Sequence, residues 1–275
     1  MDTSFKQNLP PFIDAAGASS VGQQRSRNED QFVVSSLDGP APQGEASRSK
    51  AALLVVADGI GGLPRGAEAS EAAVRTIAEH LGAWLPTEGP TPERGSLPGV
   101  RSKLASAVRH GHEEVVKTAQ DAGVRHIGTT LTLAYLRFPA LYLAHLGDSR
   151  AYVLRGGKPY RLTHDHTLAE EMSRGLGEEV PADSQWHHIL TRALGPSQHG
   201  SAEPEILHVE LSLHDTLLLC TDGVTKHLSD QRLAKLLSSD ERAATLAPRI
   251  VDAANAEGGS DNITAVVARC MPDPA

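Results

Sequence analysis

The sequence predicts a single mixed α/β domain in which β-sheets are stacked together beneath helices. Three observations carry this reading. Several strand-like runs, LLVVA at residues 53–57, LLLC at 217–220 and ITAVVA at 263–268, are apolar almost without alternation, the mark of strands covered on both faces. Long amphipathic helical segments stand between groups of these strands rather than apart from them. No linker rich in Pro, Gly and Ser divides the chain into halves of different composition, so one domain is favoured over two.

Taken in order, strands are expected at residues 51–57, 129–136, 141–145, 151–154, 216–220 and 263–268, each rich in β-branched or large aliphatic residues. Residues 68–85 place Ala69, Ala72, Ala73, Ile77, Leu81 and Trp84 at helical spacing, and residues 100–120 do the same with Leu104, Val108, Val115 and Val116. The segment between them, residues 86–98, holds four prolines and two glycines in thirteen residues, so it reads as a loop. Residues 174–186 are polar and aperiodic and predict a mobile excursion. Ser229 suits the N-cap of a helix over 229–237, with Leu at 228, 233, 236 and 237 on its face. A further amphipathic helix covers 241–256.

Composition narrows the function classes. The 275 residues are 40% hydrophobic but only 4% aromatic, so Leu, Val, Ile and Ala must fill the core. A net charge of -8 speaks against a general nucleic-acid or anionic-membrane binder, which needs a basic face to displace counterions. The two cysteines, Cys220 in an apolar run and Cys270, have no neighbours at metal-ligand spacing, and a cytoplasmic setting is expected. No window approaches ~20 apolar residues, and no export signal is expected, since the first residues lack a basic stretch followed by an apolar one.

The chemistry lies in aspartates at strand ends. Asp58-Gly59-Ile60-Gly61-Gly62 follows the first strand directly, Asp222-Gly223 follows another in the same way, and Asp261-Asn262 precedes the last. Glycine there lets backbone approach a ligand closely. Taken singly, Asp-Gly is an ordinary turn signal. Three such carboxylates converging would repel one another, and hard oxygen donors suit Mg²⁺ or Mn²⁺ in a two-ion site. Ahead of them, Arg25-Ser26-Arg27-Asn28-Glu29-Asp30 puts a guanidinium fork and two carboxylates on one short segment, and such a fork fits a pair of phosphate oxygens.

With these come Gly22-x-x-Arg25-x-x-Asn28-Glu29-Asp30, Gly128-Thr129-Thr130, Gly147-Asp148-Ser149-Arg150, Leu162-Thr163-x-Asp165-His166, Leu190-Thr191-Arg192-Ala193-Leu194-Gly195, Thr221-Asp222-Gly223 and Ser260-Asp261-Asn262. Their order over residues 17–270 resembles the PP2C-type (PPM family) metal-dependent Ser/Thr protein phosphatases, bacterial branch. The resemblance implies an α+β fold, a four-layer αββα sandwich with two central antiparallel β-sheets flanked by helices. Residues 1–16 would be an N-terminal extension and 17–272 one phosphatase domain, with a mobile flap near 173–189. It further implies hydrolysis of phosphoserine and phosphothreonine in proteins by water activated at two Mn²⁺ or Mg²⁺ ions, so that no protein nucleophile is required. Asp58 would bridge the two ions, with the carbonyl of Gly59 completing one and Asp222 and Asp261 holding the other. Glu29 would bind through a water, Asp30 would steady metal-bound waters, and Arg25 would grip the substrate phosphate. Asp148 would hold a third ion. Expected partners are phosphorylated proteins and a cognate Ser/Thr kinase, with no nucleic acid and a monomeric state.

The chain departs from the family pattern at Ile60 and Leu63, where some members carry histidines, and at Ala67, where Glu is common; the leaving-group acid is therefore unnamed. His187 and His188 lie beside the excursion and read as solvated loop histidines ahead of catalytic ones, His164 and His166 as structural. Cys220 reads as a packed small hydrophobe. The alternative, an inactive PP2C-like scaffold or regulatory binding domain, would be marked by a missing metal aspartate. Asp58, Asp222 and Asp261 are all present, as is Arg25.

Overall fold

A computed structural model describes residues 11–37, 48–61, 65–82, 97–177, 180–181, 183–196 and 202–272. The first sheet is built from β1 (Phe12–Ser20), β3 (Arg48–Ser49), β8 (Arg150–Arg155), β9 (Lys158–Arg161), β11 (Thr216–Cys220) and β12 (Ile263–Met271), in the order β3-β1-β12-β11-β8-β9. The second runs β10-β7-β6-β4-β2, from β10 (Glu205–Glu210), β7 (Ala140–Leu146), β6 (Leu131–Arg137), β4 (Ala51–Ile60) and β2 (Asp30–Ser36), with β5 (Gly128–Thr129) on the end of β4. Every pairing between the described strands is antiparallel. Helices α1 (Arg65–Gly82) and α2 (Leu97–Asp121) cover the second sheet; α4 (Asp222–Thr225), α5 (Asp230–Leu237) and α6 (Ala243–Ala256) cover the first. Between β9 and β10 come α3 (Leu168–Leu176) and a 3₁₀ turn (Gln185–His188).

Strand β4 shows why the apolar runs do not alternate. Leu53, Val55 and Ala57 face α1 and α2, packing with Ala73, Ile77, Leu104 and Val108. Ala52, Leu54 and Val56 face the other sheet, meeting Leu217, Leu219 and Val266. Both faces of the pleat are therefore core. On the far side Leu218, Cys220 and Val267 meet Leu233, Leu246 and Ile250. The four-layer αββα sandwich is thus the observed fold. A fully buried Leu or Val contributes roughly 1.5–3 kcal/mol relative to exposure, and these three apolar layers fix the sheets face to face.

Several boundaries shift. Helix α1 starts three residues before the predicted 68 and is described to Gly82, so predicted residues 83–85, Trp84 included, lie outside the described residues. The loop predicted over 86–98 also lies outside them, except that Leu97 and Pro98 open α2. Proline fits a first helical turn because its missing N–H has no intrahelical partner there. Residues 12–16, expected within an N-terminal extension, belong to β1 and pair with β12. Ser173–Leu176, expected within the flap, close α3, which ends at Gly177 in the left-handed conformation (φ 71°). Helix α6 begins at Ala243 rather than 241 because its cap comes from elsewhere in the chain: Asp14 of β1 accepts the Ala243 N–H at 2.8 Å. Ser229 caps α5 as its sequence predicts, accepting from Arg232 N–H.

Candidate active site

The site forms where one end of each sheet opens toward the same cleft. Asp30, the first residue of β2, stands opposite Asp58 near the end of β4 in the strand register. From the other sheet, Thr221 follows β11 and holds the N-cap position of α4, whose first residue is Asp222, while Asp261 and Asn262 lead into β12. The turn between β7 and β8 brings Asp148, and the loop between β1 and β2 brings Arg25 and Glu29. Arg25, Glu29, Asp58, Gly59, Asp148, Asp222 and Asp261 all line one cavity of about 450 Å³. Asp30 lies just behind it, 3% exposed.

Hydrogen bonds between distant segments hold these groups. Asn262 accepts the Glu29 N–H at 2.8 Å and donates to the carbonyls of Val21 (2.9 Å) and Arg27 (2.8 Å), stitching the Arg25-bearing loop to β12. The Glu29 carbonyl accepts from Gly59 N–H and from the Ser70 hydroxyl, tying that loop to β4 and α1 as well. Thr130 accepts the Asp58 N–H through its hydroxyl (2.9 Å), and Thr129 donates to the Asp58 carbonyl (2.9 Å). Two glycines permit the close approach. A Cβ at Gly59 would stand 2.2 Å from the Gly66 carbonyl oxygen, and one at Gly22 (φ 80°) 2.1 Å from that of Asp261.

Electrostatically the cleft is crowded with carboxyls. Burial, reinforced by the neighbouring carboxylates, pushes Asp30 up to about 7 and Asp148 up to about 8, and raises Asp58 well above the ordinary range. Asp30 is opposed in this by hydroxyl donors: Thr264 at 2.7 Å and Thr221 at 2.8 Å both bond its Oδ2. Burial also raises Glu29. Asp261 goes the other way: burial pushes it up, but the Lys226 ammonium, the Asn262 N–H and Arg25 together hold it below its usual value. Arg25 meets Asp261 at 2.9 Å, and Lys226 bridges Asp222 (2.5 Å) and Asp261 (2.7 Å).

The donor set fits hard divalent cations. Glu29 Oε1, Asp30 Oδ1 and Asp222 Oδ1 are buried oxygens without a protein hydrogen-bond partner, and buried anionic oxygens of this kind require a cation or a proton. The carboxylates ring the cleft rather than closing into a cage: among the described residues no three His, Cys, Asp or Glu side chains already form a ready-made ligand cluster.

Other sequence-based assignments sort plainly. Gly62 and Leu63 lie outside the described residues, whereas Ile60 lines the cleft. His188 also lines it, although the sequence reads it as solvated; His187 instead bonds the Pro181 carbonyl. His166 is structural, its Nδ1 accepting the Gly147 N–H beside Asp148, while His164 is exposed and contributes its carbonyl to His145. Cys220 is fully buried, its thiol pushed up to about 12 by desolvation. Lys226 and the Thr221–Thr264 pair carry no assignment in the sequence reading. Lys226 stands four residues after Asp222 at a helix start, a spacing that places both on one face, and that signal was available.

A family model described as protein phosphatase 2C matches residues 17–263. The serine/threonine phosphatase stp of Listeria innocua is 33% identical over 225 residues, covering 80% of this chain and 85% of the relative. The solved serine/threonine phosphatase of S. agalactiae superposes with a TM-score of 0.79 at 25% identity, covering 94% of this chain and all of that one. The catalytic domain of the serine/threonine protein phosphatase PstP, solved in complex with two manganese ions, gives a TM-score of 0.74 at 29% identity, covering 95% and 99%.

Proposed function

Because the chain belongs to the protein phosphatase 2C family, we propose that its cleft is a binuclear Mn²⁺ or Mg²⁺ centre at which phosphoserine and phosphothreonine of proteins are hydrolysed. The observation that carries this is the set of three buried carboxylate oxygens, on Glu29, Asp30 and Asp222, that have no protein partner. Asp58 would lie between the ions, with the Gly59 carbonyl beside one and Asp222 and Asp261 around the other; Glu29 would reach its ion through a water. Asp148, from its own turn, would serve a third ion. When bound, the ions would lower the pKa of a water and so supply the nucleophile.

The protein's own groups do the rest. Arg25 is half exposed and forks onto Asp261 through Nε and Nη2; the same planar fork would take two phosphate oxygens and offset charge that spreads over them. Asp30, held through Oδ2 by two threonines, leaves Oδ1 without a protein partner and would order the waters of the cluster. The acidic balance of the whole protein does not oppose an anionic substrate, because attraction is local to the cleft.

No helix among the described residues is long and apolar enough to cross a membrane. Both cysteines are free and buried, which supports a reducing, cytoplasmic setting. We take the substrates to be phosphoproteins of a cognate Ser/Thr kinase and the enzyme to act as a monomer. The test is hydrolysis of a phosphothreonine peptide with Mn²⁺, after EDTA, and by Asp58→Asn. Activity should vanish with EDTA, return with Mn²⁺ and be absent in the variant. Hydrolysis that survives EDTA would exclude the metal centre, and a folded wild-type protein inert with Mn²⁺ would exclude catalysis and leave a scaffold.

A further inference from the structure

Lys226 follows α4 immediately, and its N–H caps that helix on the Asp222 carbonyl at 2.8 Å. The helix is pressed hard onto the β12 lead-in, where a Cβ at Gly223 would come within 2.0 Å of the Asn262 carbonyl oxygen. The base of the lysine side chain is therefore fixed, and its ammonium meets Asp222 Oδ2 at 2.5 Å and Asp261 Oδ2 at 2.7 Å. The side chain is 32% exposed and the two carboxylates 17% and 16%. It holds both aspartates assigned above to one ion, whereas Arg25 reaches Asp261 alone from a more exposed position.

We propose that Lys226 is a built-in competitor of the divalent cation, a tethered ammonium that occupies the Asp222–Asp261 pair and must be displaced for that ion to bind. The proposal rests on the binuclear reading above. One bridging cation on a fixed stem occupies Oδ2 of both carboxylates and leaves Asp222 Oδ1 without a partner, so an ion that takes the Oδ2 oxygens must displace the ammonium. Loading the ion is then an exchange of lysine for metal, and the affinity is weakened by the free energy of the ion pairs given up. The displaced ammonium stays at the rim of the cleft on its four-carbon stem.

The experiment is calorimetric titration of Mn²⁺ into the metal-stripped full chain, comparing wild type with Lys226→Met and Lys226→Arg. Methionine keeps length and removes charge. The Met variant should bind Mn²⁺ about tenfold tighter or more, and its metal-stripped form should melt lower than wild type, since Asp222 loses its cation and Asp261 keeps Arg25 alone. The Arg variant should keep affinity within a few-fold of wild type, because it keeps the competing charge. Met affinity equal to or weaker than wild type overturns the proposal. If neither protein takes up Mn²⁺, the metal centre itself is refuted along with it; equal, tight binding by both refutes the lysine alone. A second measurement needs no variant. Reductive methylation of wild type followed by peptide mass spectrometry should label Lys226 faster with saturating Mn²⁺ than without, and unchanged or slower labelling overturns the exchange.

Discussion

Truncating Asn262 to alanine should be the most damaging single change outside the carboxylates, and its size can be worked from the contacts. The side chain is 5% exposed and makes three hydrogen bonds, to Glu29 N–H, Val21 carbonyl and Arg27 carbonyl. A hydrogen bond contributes about 1 kcal/mol net, and a buried partner left unsatisfied costs about 1–3 kcal/mol. Three such losses place Asn262→Ala at about 3 kcal/mol, with a ceiling of about 9 kcal/mol if water cannot reach the orphaned groups. For a chain of this length 3 kcal/mol lowers the melting temperature by about 5 °C. Urea titration of metal-stripped protein, with phosphopeptide turnover in Mn²⁺ measured on the same sample, reads both consequences. Because the three bonds hold the loop that carries Arg25 and Glu29, activity should fall at least about tenfold at temperatures where the variant is still folded, as a displacement of about 1 Å at a reacting centre does. Asn262→Asp, which keeps the acceptor for Glu29 N–H but sets a carboxylate oxygen against the Val21 and Arg27 carbonyls, should be at least as damaging. A stability change under 1 kcal/mol together with full turnover would refute the claim that this side chain stitches the loop.

Two further outcomes follow from the electrostatics. Asp30 and Asp148, raised from 3.8 to about 7 and about 8 by burial, bind protons more tightly folded than unfolded, so the metal-stripped protein should lose stability as pH rises from about 4 through 8. Urea midpoints in EDTA should be higher near pH 5.5 than near pH 8, and saturating Mn²⁺ should narrow the gap at the alkaline end; a midpoint that rises with pH in EDTA counts against the crowded-carboxyl account. Arg25→Ala should raise KM for a phosphopeptide more than it lowers kcat, since the guanidinium grips phosphate already in the ground state; a fall in kcat at constant KM would assign Arg25 to the transition state alone.

How much of this was legible beforehand depends on where each signal resides. Strand β4 could be read from its sequence because both faces are core, so Ala51 through Ala57 are uninterrupted apolar residues. Strand β1 could not: FIDAAGASS is small and weakly apolar, and it is a strand because β12 pairs along its whole length. The edge strand β10, half exposed on one face, carries too few buried residues to stand out. The aspartates were visible through their Asp-Gly and Asp-Asn neighbours. Thr264, in contrast, is one residue of an apolar strand, and only the fold brings its hydroxyl 2.7 Å from a carboxylate 234 positions away. Helix α6 shows the same limit, since its cap is Asp14 and no local residue advertises it.

The distribution of the carboxylates between the sheets bears on why the cleft needs cations at all. Asp30 and Asp58 belong to one sheet and Asp222 and Asp261 to the ends of the other. The apolar layer between the sheets, Leu54, Val56, Leu219 and Val266 among it, brings those ends together whatever their charge. Apolar packing therefore does work against repulsion at one edge of the sandwich, and something must neutralise that edge. Three agents can do so in this chain: protons on Asp30, Asp58 and Asp148, the ammonium of Lys226, and divalent ions. The first two keep the sandwich closed but neither activates water. Where an ion shares a carboxylate with either of them it displaces it, so the energy that packing stores at this edge favours uptake of the ions, while Lys226 sets how much of it is offset beforehand.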